Sequence, residues 1–301
     1  GRVLAREAPV ARRDLWPRVE PLLSRVERPA RYLNHEWGCA APVAEGDFAF
    51  CMIYPDTYEL GQANQAVRIL VNAVNAMGGM GAERAFLPAV DMADLMREEG
   101  VPLFSLESCR PVVDFDVVGI TLPHELAATN VLETLDLAGI PLRTADRAEG
   151  DPIVLAGGPC AYNPEPYAPF FDVILVGEGE EQLPEVLALI RELRASGAPR
   201  ADILREVARR VGGAYVPSLY RWRSEDEAQA AGSWAEPLFD DVPRVVHKRV
   251  FEGFADSPAL EPMIVPYTEV VHDRLNVEIL RGCARGCRFC QAGMMYRPVR
   301  E

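Results

Sequence analysis

Five short apolar runs, each followed by a segment of helical periodicity, constrain the fold of this 301-residue chain more than any other feature. They read "FAFCMIYP" (48–55), "ERAFLPA" (83–89), "FDVVGITL" (115–122), "PIVLAGG" (152–158) and "DVILVG" (172–177). Most lack the polar residue at every second position that marks a strand wetted on one face, so both faces are expected to be covered. Between them, Leu60, Ala63, Val67, Leu70, Val74 and Met77 recur at helical spacing until "GGMG" ends the pattern. A short helix is expected near 91–99, another over 125–138, and a third carries Leu183, Val186, Leu187, Ile190 and Leu193 on one face. Alternation of this kind predicts a doubly wound α/β domain over residues 45–197. In such sheets ligands bind beyond the carboxyl ends of the strands.

Residues 1–44 read as a helical, arginine-rich lead-in. Residues 198–262 form a connecting segment, with a helix over 200–211, an exposed acidic loop at 224–236 and a strand over 244–252. The last unit, 263–301, opens a new element: "LNVEILRG" (275–282) predicts a strand that runs straight into a cysteine cluster. No internal repeat is visible. Net charge is −14, which argues against a broad nucleic-acid footprint; Arg285, Arg288, Arg297 and Arg300 read as a solvated group. No apolar run reaches the roughly 18 residues of a membrane span, and the start lacks the apolar centre of a secretory signal. A cytoplasmic protein is expected. The odd total of seven cysteines suits a reducing compartment, and Cys51, inside an apolar run, reads as a small core residue.

The cluster reads "RGCARGCRFCQAG" and begins at Arg281. Cys283, Cys287 and Cys290 are spaced C-x-x-x-C-x-x-C, with Gly282 and Gly286 easing the turn. Three thiolates hold three irons of a cubic 4Fe-4S cluster and leave the fourth iron open to a chelating substrate. Zinc is the alternative and needs a fourth ligand. His272 is the nearest histidine in the chain, and no second C-x-x-C follows. The pair His272 and Asp273 reads as satisfying a loop, with orientation of a group near the cluster as the other possibility.

This stretch resembles the signature loop of the radical SAM enzymes, where C-x-x-x-C-x-aromatic-C follows the first strand of a partial (β/α) barrel. The resemblance implies that Cys283, Cys287 and Cys290 ligate the cluster and that Phe289 lies near the adenine of S-adenosylmethionine. It also implies reductive cleavage of that cofactor to a 5′-deoxyadenosyl radical, with the electron delivered by a donor such as flavodoxin or ferredoxin.

The loop "PDTYELG" (55–61) adds to this. Cobalamin-binding domains of the flavodoxin-like kind carry D-x-H-x-x-G there. Here the spacing survives as Asp56, Tyr58 and Gly61, with tyrosine in place of the histidine that ligates cobalt. A corrinoid bound here is therefore expected base-off, with no imidazole from the protein. The other reading is an ordinary strand-to-helix turn capped by Asp56 or Thr57, with Tyr58 packing. "AGGPCAYNPEPY" (156–167) and "VGEGEEQLPEV" (176–186) resemble the N-terminal domain of radical SAM proteins that carry a cobalamin-binding domain. Gly157 and Gly158 would allow close approach of a flat ligand, and Thr121 lies where that domain reaches under the nucleotide tail. Glu178 and Glu180 read as decoration of a helix N-terminus.

Flavin is disfavoured because "PDTYELG" offers no phosphate cradle, and neither G-x-G-x-x-G nor a P-loop occurs. Taken together, the expectation is a radical SAM enzyme, methyltransferase chemistry among its options, with a corrinoid in the α/β domain. The alternative is a domain that only binds a corrinoid or small ligand, or acts as scaffold. A radical SAM barrel needs more strands than follow residue 283, so the chain is expected to be a truncated, inactive fragment.

Overall fold

The computed structural model describes residues 14–223, 234–256, 263–272, 274 and 276–301. Six strands make one sheet: β1 (Phe48–Tyr54), β2 (Met80–Phe86), β3 (Val117–Thr121), β4 (Ile153–Gly157), β5 (Val173–Leu175) and β6 (Ala214–Tyr215). Their order is β2-β1-β3-β4-β5-β6, parallel throughout except for the β5–β6 pair. The chain is thus mixed α/β with a mainly parallel sheet. Its winding reverses between β1 and β3, which makes their carboxyl ends a topological switch point.

Side-chain alternation along β1 feeds two cores. Phe48, Phe50, Met52 and Tyr54 face the helices Gln65–Asn75, Gly179–Ala195 and Arg200–Arg210. Ala49, Cys51 and Ile53 face Val90–Glu99 and Ala128–Ala138 on the other side. Every residue of β1 is buried, as a strand covered on both faces requires. Burial also pushes the Cys51 thiol well up, in keeping with a core residue.

Several expectations shift. The second strand begins at Met80 rather than residue 83, because Glu83 and Arg84 lie inside it as buried charges and the apolar signal of "AFLPA" ran past its end. The sheet continues past residue 197 to β6. The lead-in is not a separate helical piece among the described residues. It makes single turns at Trp16–Val19, Glu20–Arg25 and Pro29–Tyr32, and buries Leu15, Val19, Leu22 and Tyr32 in the core.

Residues 224–233 of the expected loop lie outside the described residues, as does Asp273. Trp234–Pro237 is a strand (β8) rather than loop, paired antiparallel with β7 (Tyr220–Arg223). The strand expected over 244–252 reduces to an isolated bridge of Arg249 with Gly177. The strand expected over 275–282, the barrel's first, is likewise absent among the described residues. Only Arg281 pairs, antiparallel, with Arg300. A strand needs a neighbouring backbone, and among the described residues none pairs with 276–280.

Candidate functional site

A cleft of about 590 Å³ opens at the switch point, between the sheet and the helices Gln65–Asn75 and Gly179–Ala195. Its floor is Phe50, Met52, Gly119, Leu155 and Leu175, the alternate residues of β1, β3, β4 and β5 that face these helices. Thr121, Gly157 and Gly158 form its upper wall, so three of the residues singled out in the sequence meet at one cavity. Gly157 has space where a side chain would stand: an added Cβ would meet nothing nearer than the Leu175 carbonyl at 4.0 Å. Gly158 has φ +104°, and a Cβ there would lie 3.0 Å from the Leu122 carbonyl, so the turn itself requires glycine.

Asp56, Tyr58 and Gly61 do not line this cleft. Tyr58 is buried; its hydroxyl donates to Glu36 of the lead-in, and its ring meets Phe86 edge-on at 5.2 Å. Burial first, then the neighbouring Glu36 carboxylate, push its phenol far above the ordinary value. Gly61 is required because a Cβ would fall 2.4 Å from the Phe86 ring. Asp56 accepts from the Thr57 N–H at 2.7 Å, and neither Asp56 nor Thr57 caps the following turn through its side chain. Tyr58 and Gly61 both pack against Phe86.

The remaining wall of the cleft comes from the C-terminal segment: Glu278, Leu280, Arg281, Gly282 and Tyr296. Glu178 and Glu180, expected as helix decoration, are what hold it. Arg300 grips Glu178 with both terminal nitrogens, one at 2.6 Å, while Arg281 reaches Glu180 at 2.6 Å and Glu278 at 2.7 Å. The Phe251 N–H also donates to Glu178 at 2.6 Å, and both guanidinium groups lie over the Phe254 ring. Backbone bonds of 2.9 Å in each direction join Arg281 to Arg300. Tyr162, whose phenol burial pushes up to about 12, donates to the Met295 carbonyl at 3.0 Å, as Lys248 does at 2.9 Å. Arg300 is therefore paired rather than solvated.

Burial works against the Glu178 charge. The Arg300 hydrogen bonds, the Phe251 N–H and the two nearby arginines outweigh it and hold the carboxyl below its ordinary range. A carboxylate with a depressed folded value contributes stability above its unfolded value and loses it as pH falls through the folded one. Removing it with Glu178→Ala is expected to raise hydrogen exchange across 281–300 by about tenfold, the loss of a charge-assisted bond. Exchange in β1 should not change. The same peptides should loosen in the wild type only below the ordinary carboxylate range; equal protection in the variant would show that the segment is held by other contacts.

The cysteine loop lies beyond this latch. Cys287, Phe289 and Cys290 line a second cavity of about 540 Å³; Cys283 does not. Phe289 is 92% exposed. Among the described residues no three His, Cys, Asp or Glu side chains are gathered as a metal-holding group. The donor set suits a cluster in kind and number, while the loop as it stands does not bring its three thiols together. His272 lines neither cavity. Sequence reasoning missed Arg281 and Arg300 as partners of Glu178 and Glu180; the only signal was two acidic and two basic residues about a hundred positions apart.

A family model described as the N-terminal region of radical SAM proteins matches residues 66–217. An uncharacterised protein of Methanocaldococcus jannaschii is 25% identical over 252 residues, which cover 83% of this chain and 42% of that protein. The chain therefore spans less than half the length of this curated relative. Two structures of the radical S-adenosylmethionine methyltransferase TsrM from Kitasatospora setae also match. One has tryptophan substrate and the SAM analog aza-SAM bound, with 16% identity, a TM-score of 0.34, and coverage of 56% of this chain and 28% of that one. The other has cobalamin and a 4Fe-4S cluster bound, with 17% identity, a TM-score of 0.33, and coverage of 52% and 28%. With its matched region taking in half of the chain, from the first long helix through the sixth strand of the sheet, this chain belongs to the radical SAM proteins.

Proposed function

We propose that this chain works in a radical SAM enzyme whose α/β unit holds a corrinoid-type ligand in the cleft and whose cysteine loop carries a 4Fe-4S cluster. The observation that carries the reading is the shared wall: the segment bearing Cys283, Cys287 and Cys290 closes the cleft through Arg281 and Tyr296. The strand order supports it, since 2-1-3-4-5 is that of flavodoxin-like domains. So does the apolar floor along Gly119 and Leu155, which suits the nucleotide tail of a corrinoid. A reduced cluster supplies one electron for cleavage of S-adenosylmethionine, and a corrinoid supplies methyl transfer or rearrangement. The electron donor is a flavodoxin- or ferredoxin-type protein.

The residues of this chain supply binding and orientation. Thr121 lines the cleft, and Gly157 and Gly158 admit a ligand to the backbone. Glu178 and Glu180 fix the cysteine segment over it through Arg300 and Arg281. Among the described residues no histidine lines the cleft, so a corrinoid bound there would take no imidazole from these walls.

The test is anaerobic titration with hydroxocobalamin, read by absorption, with iron and sulfide analysis after reconstitution. Saturable binding with a base-off spectrum is expected. Tyr58→His should leave that spectrum unchanged while lowering stability, because position 58 is packed against Phe86 and Glu36. A shift to an imidazole-ligated spectrum would mean that the loop opens to the ligand. Failure of folded protein to bind hydroxocobalamin would leave the unit a scaffold for the cysteine segment.

A further inference from the structure

A separate cavity of about 290 Å³ sits against the outer side of the helix Gln65–Asn75, away from the cleft. Two arginines line it, and each has a buried nitrogen with no hydrogen-bond partner: Nε of Arg68 and one terminal nitrogen of Arg84. Arg84 is 1% exposed and Arg68 9%. Their charges are not equivalent. Arg84 is balanced by Glu107 at 2.6 Å and faces Glu36 at 3.6 Å. Arg68 has no hydrogen bond or ion pair among the described residues. A buried guanidinium without a counter-charge is costly, and burial alone lowers its proton affinity. Asn72, one turn further along the same helix face, lines the cavity as well. The rest of the lining includes Ala40, Val71 and Ile264, which are apolar.

We infer that this cavity is a binding site for a small monocarboxylate with an apolar body, its carboxylate on Arg68 beside Asn72. One uncompensated guanidinium matches one negative charge, which favours a monocarboxylate over a dianionic phosphate. Arg68 offers a planar fork to a carboxylate, Asn72 an amide N–H, and Val71 and Ile264 a surface for the hydrocarbon. The site does not depend on the corrinoid reading, since it shares no lining residue with the cleft.

The experiment uses the whole chain and three probes, sodium hexanoate, acetate and phosphate, at ionic strength matched with sodium chloride. Binding is followed by calorimetry and by the unfolding midpoint, which rises with any ligand that binds only the folded form. Hexanoate should bind saturably and more tightly than acetate, with phosphate no better than chloride. Arg68→Met should weaken hexanoate by at least about tenfold, the loss of one charge-assisted pair, and Arg68→Lys should restore part of it. Asn72→Ala, on the helix surface, should weaken it severalfold with the fold intact, and decides the matter if Arg68→Met does not fold. Hexanoate behaving like chloride, undiminished binding in Arg68→Met or in Asn72→Ala, or phosphate outcompeting hexanoate would each overturn the site.

Discussion

Arg84→Met is expected to lower the unfolding free energy by about 3–5 kcal/mol, the usual cost of removing one partner from a buried ion pair. Arg84 sits mid-strand on β2, fully enclosed, with Glu107 at 2.6 Å on its side chain and 2.7 Å on its backbone N–H. Gln62 and Glu36 complete its surroundings. Without the guanidinium, Glu107 and Glu36 are left as buried carboxylates without their cation. The loss should depend on pH. Burial, only partly offset by Arg84, holds the Glu107 carboxyl above its ordinary range. A carboxyl with a raised folded value contributes its full stability below the unfolded value and loses it as pH rises through the folded one. Urea unfolding should therefore show a larger gap between wild type and variant at pH 8 than at pH 5. A gap under about 1 kcal/mol, the range of an exposed pair, would show that this cluster is not a desolvated ion pair.

The second large effect is expected at Gly157. Gly157→Leu adds a side chain where the nearest atom to a new Cβ is 4.0 Å away, so the backbone has no clash to relieve. The leucine would instead project into the cleft. Hydroxocobalamin affinity should fall by at least about tenfold, a modest steric penalty, with little change in unfolding midpoint. Retained affinity would place the ligand elsewhere. Reduced affinity together with lost stability would point to disturbance of β4.

These two positions mark what was legible in the sequence. The runs at 48–55, 115–122 and 152–158 were readable because a strand buried on both faces has to be apolar throughout, and Gly157 stands out at the end of such a run. Arg84 was not readable as a core residue. A charge is compatible with a buried strand only through its partners, and Glu36 and Glu107 lie in other segments. The same limit hid the role of Glu178 and Glu180, whose arginines arrive a hundred residues later. Strands β6, β7 and β8 escaped because two- and four-residue elements carry too short a period to detect. Tyr58 illustrates the opposite case. Its motif spacing was plain, and what decided its position was a lead-in carboxylate and an aromatic ring that no local pattern predicts.

The meeting of Glu36 with Tyr267, 231 positions later in the chain, has a consequence for how this protein is made. Trp37 pairs with Val265, and Gly38 lies so close to Met263 that a Cβ would meet its carbonyl at 2.0 Å. On the ribosome the sheet has all six strands before residue 263 is synthesised, yet this clasp beside the Glu36–Arg84 cluster has to wait for that residue. Closing so long a loop delays it further. Until then Glu36 keeps its contacts with Tyr58 and Arg84 but lacks the Tyr267 N–H, so the last bond to this buried carboxylate is also the latest to form.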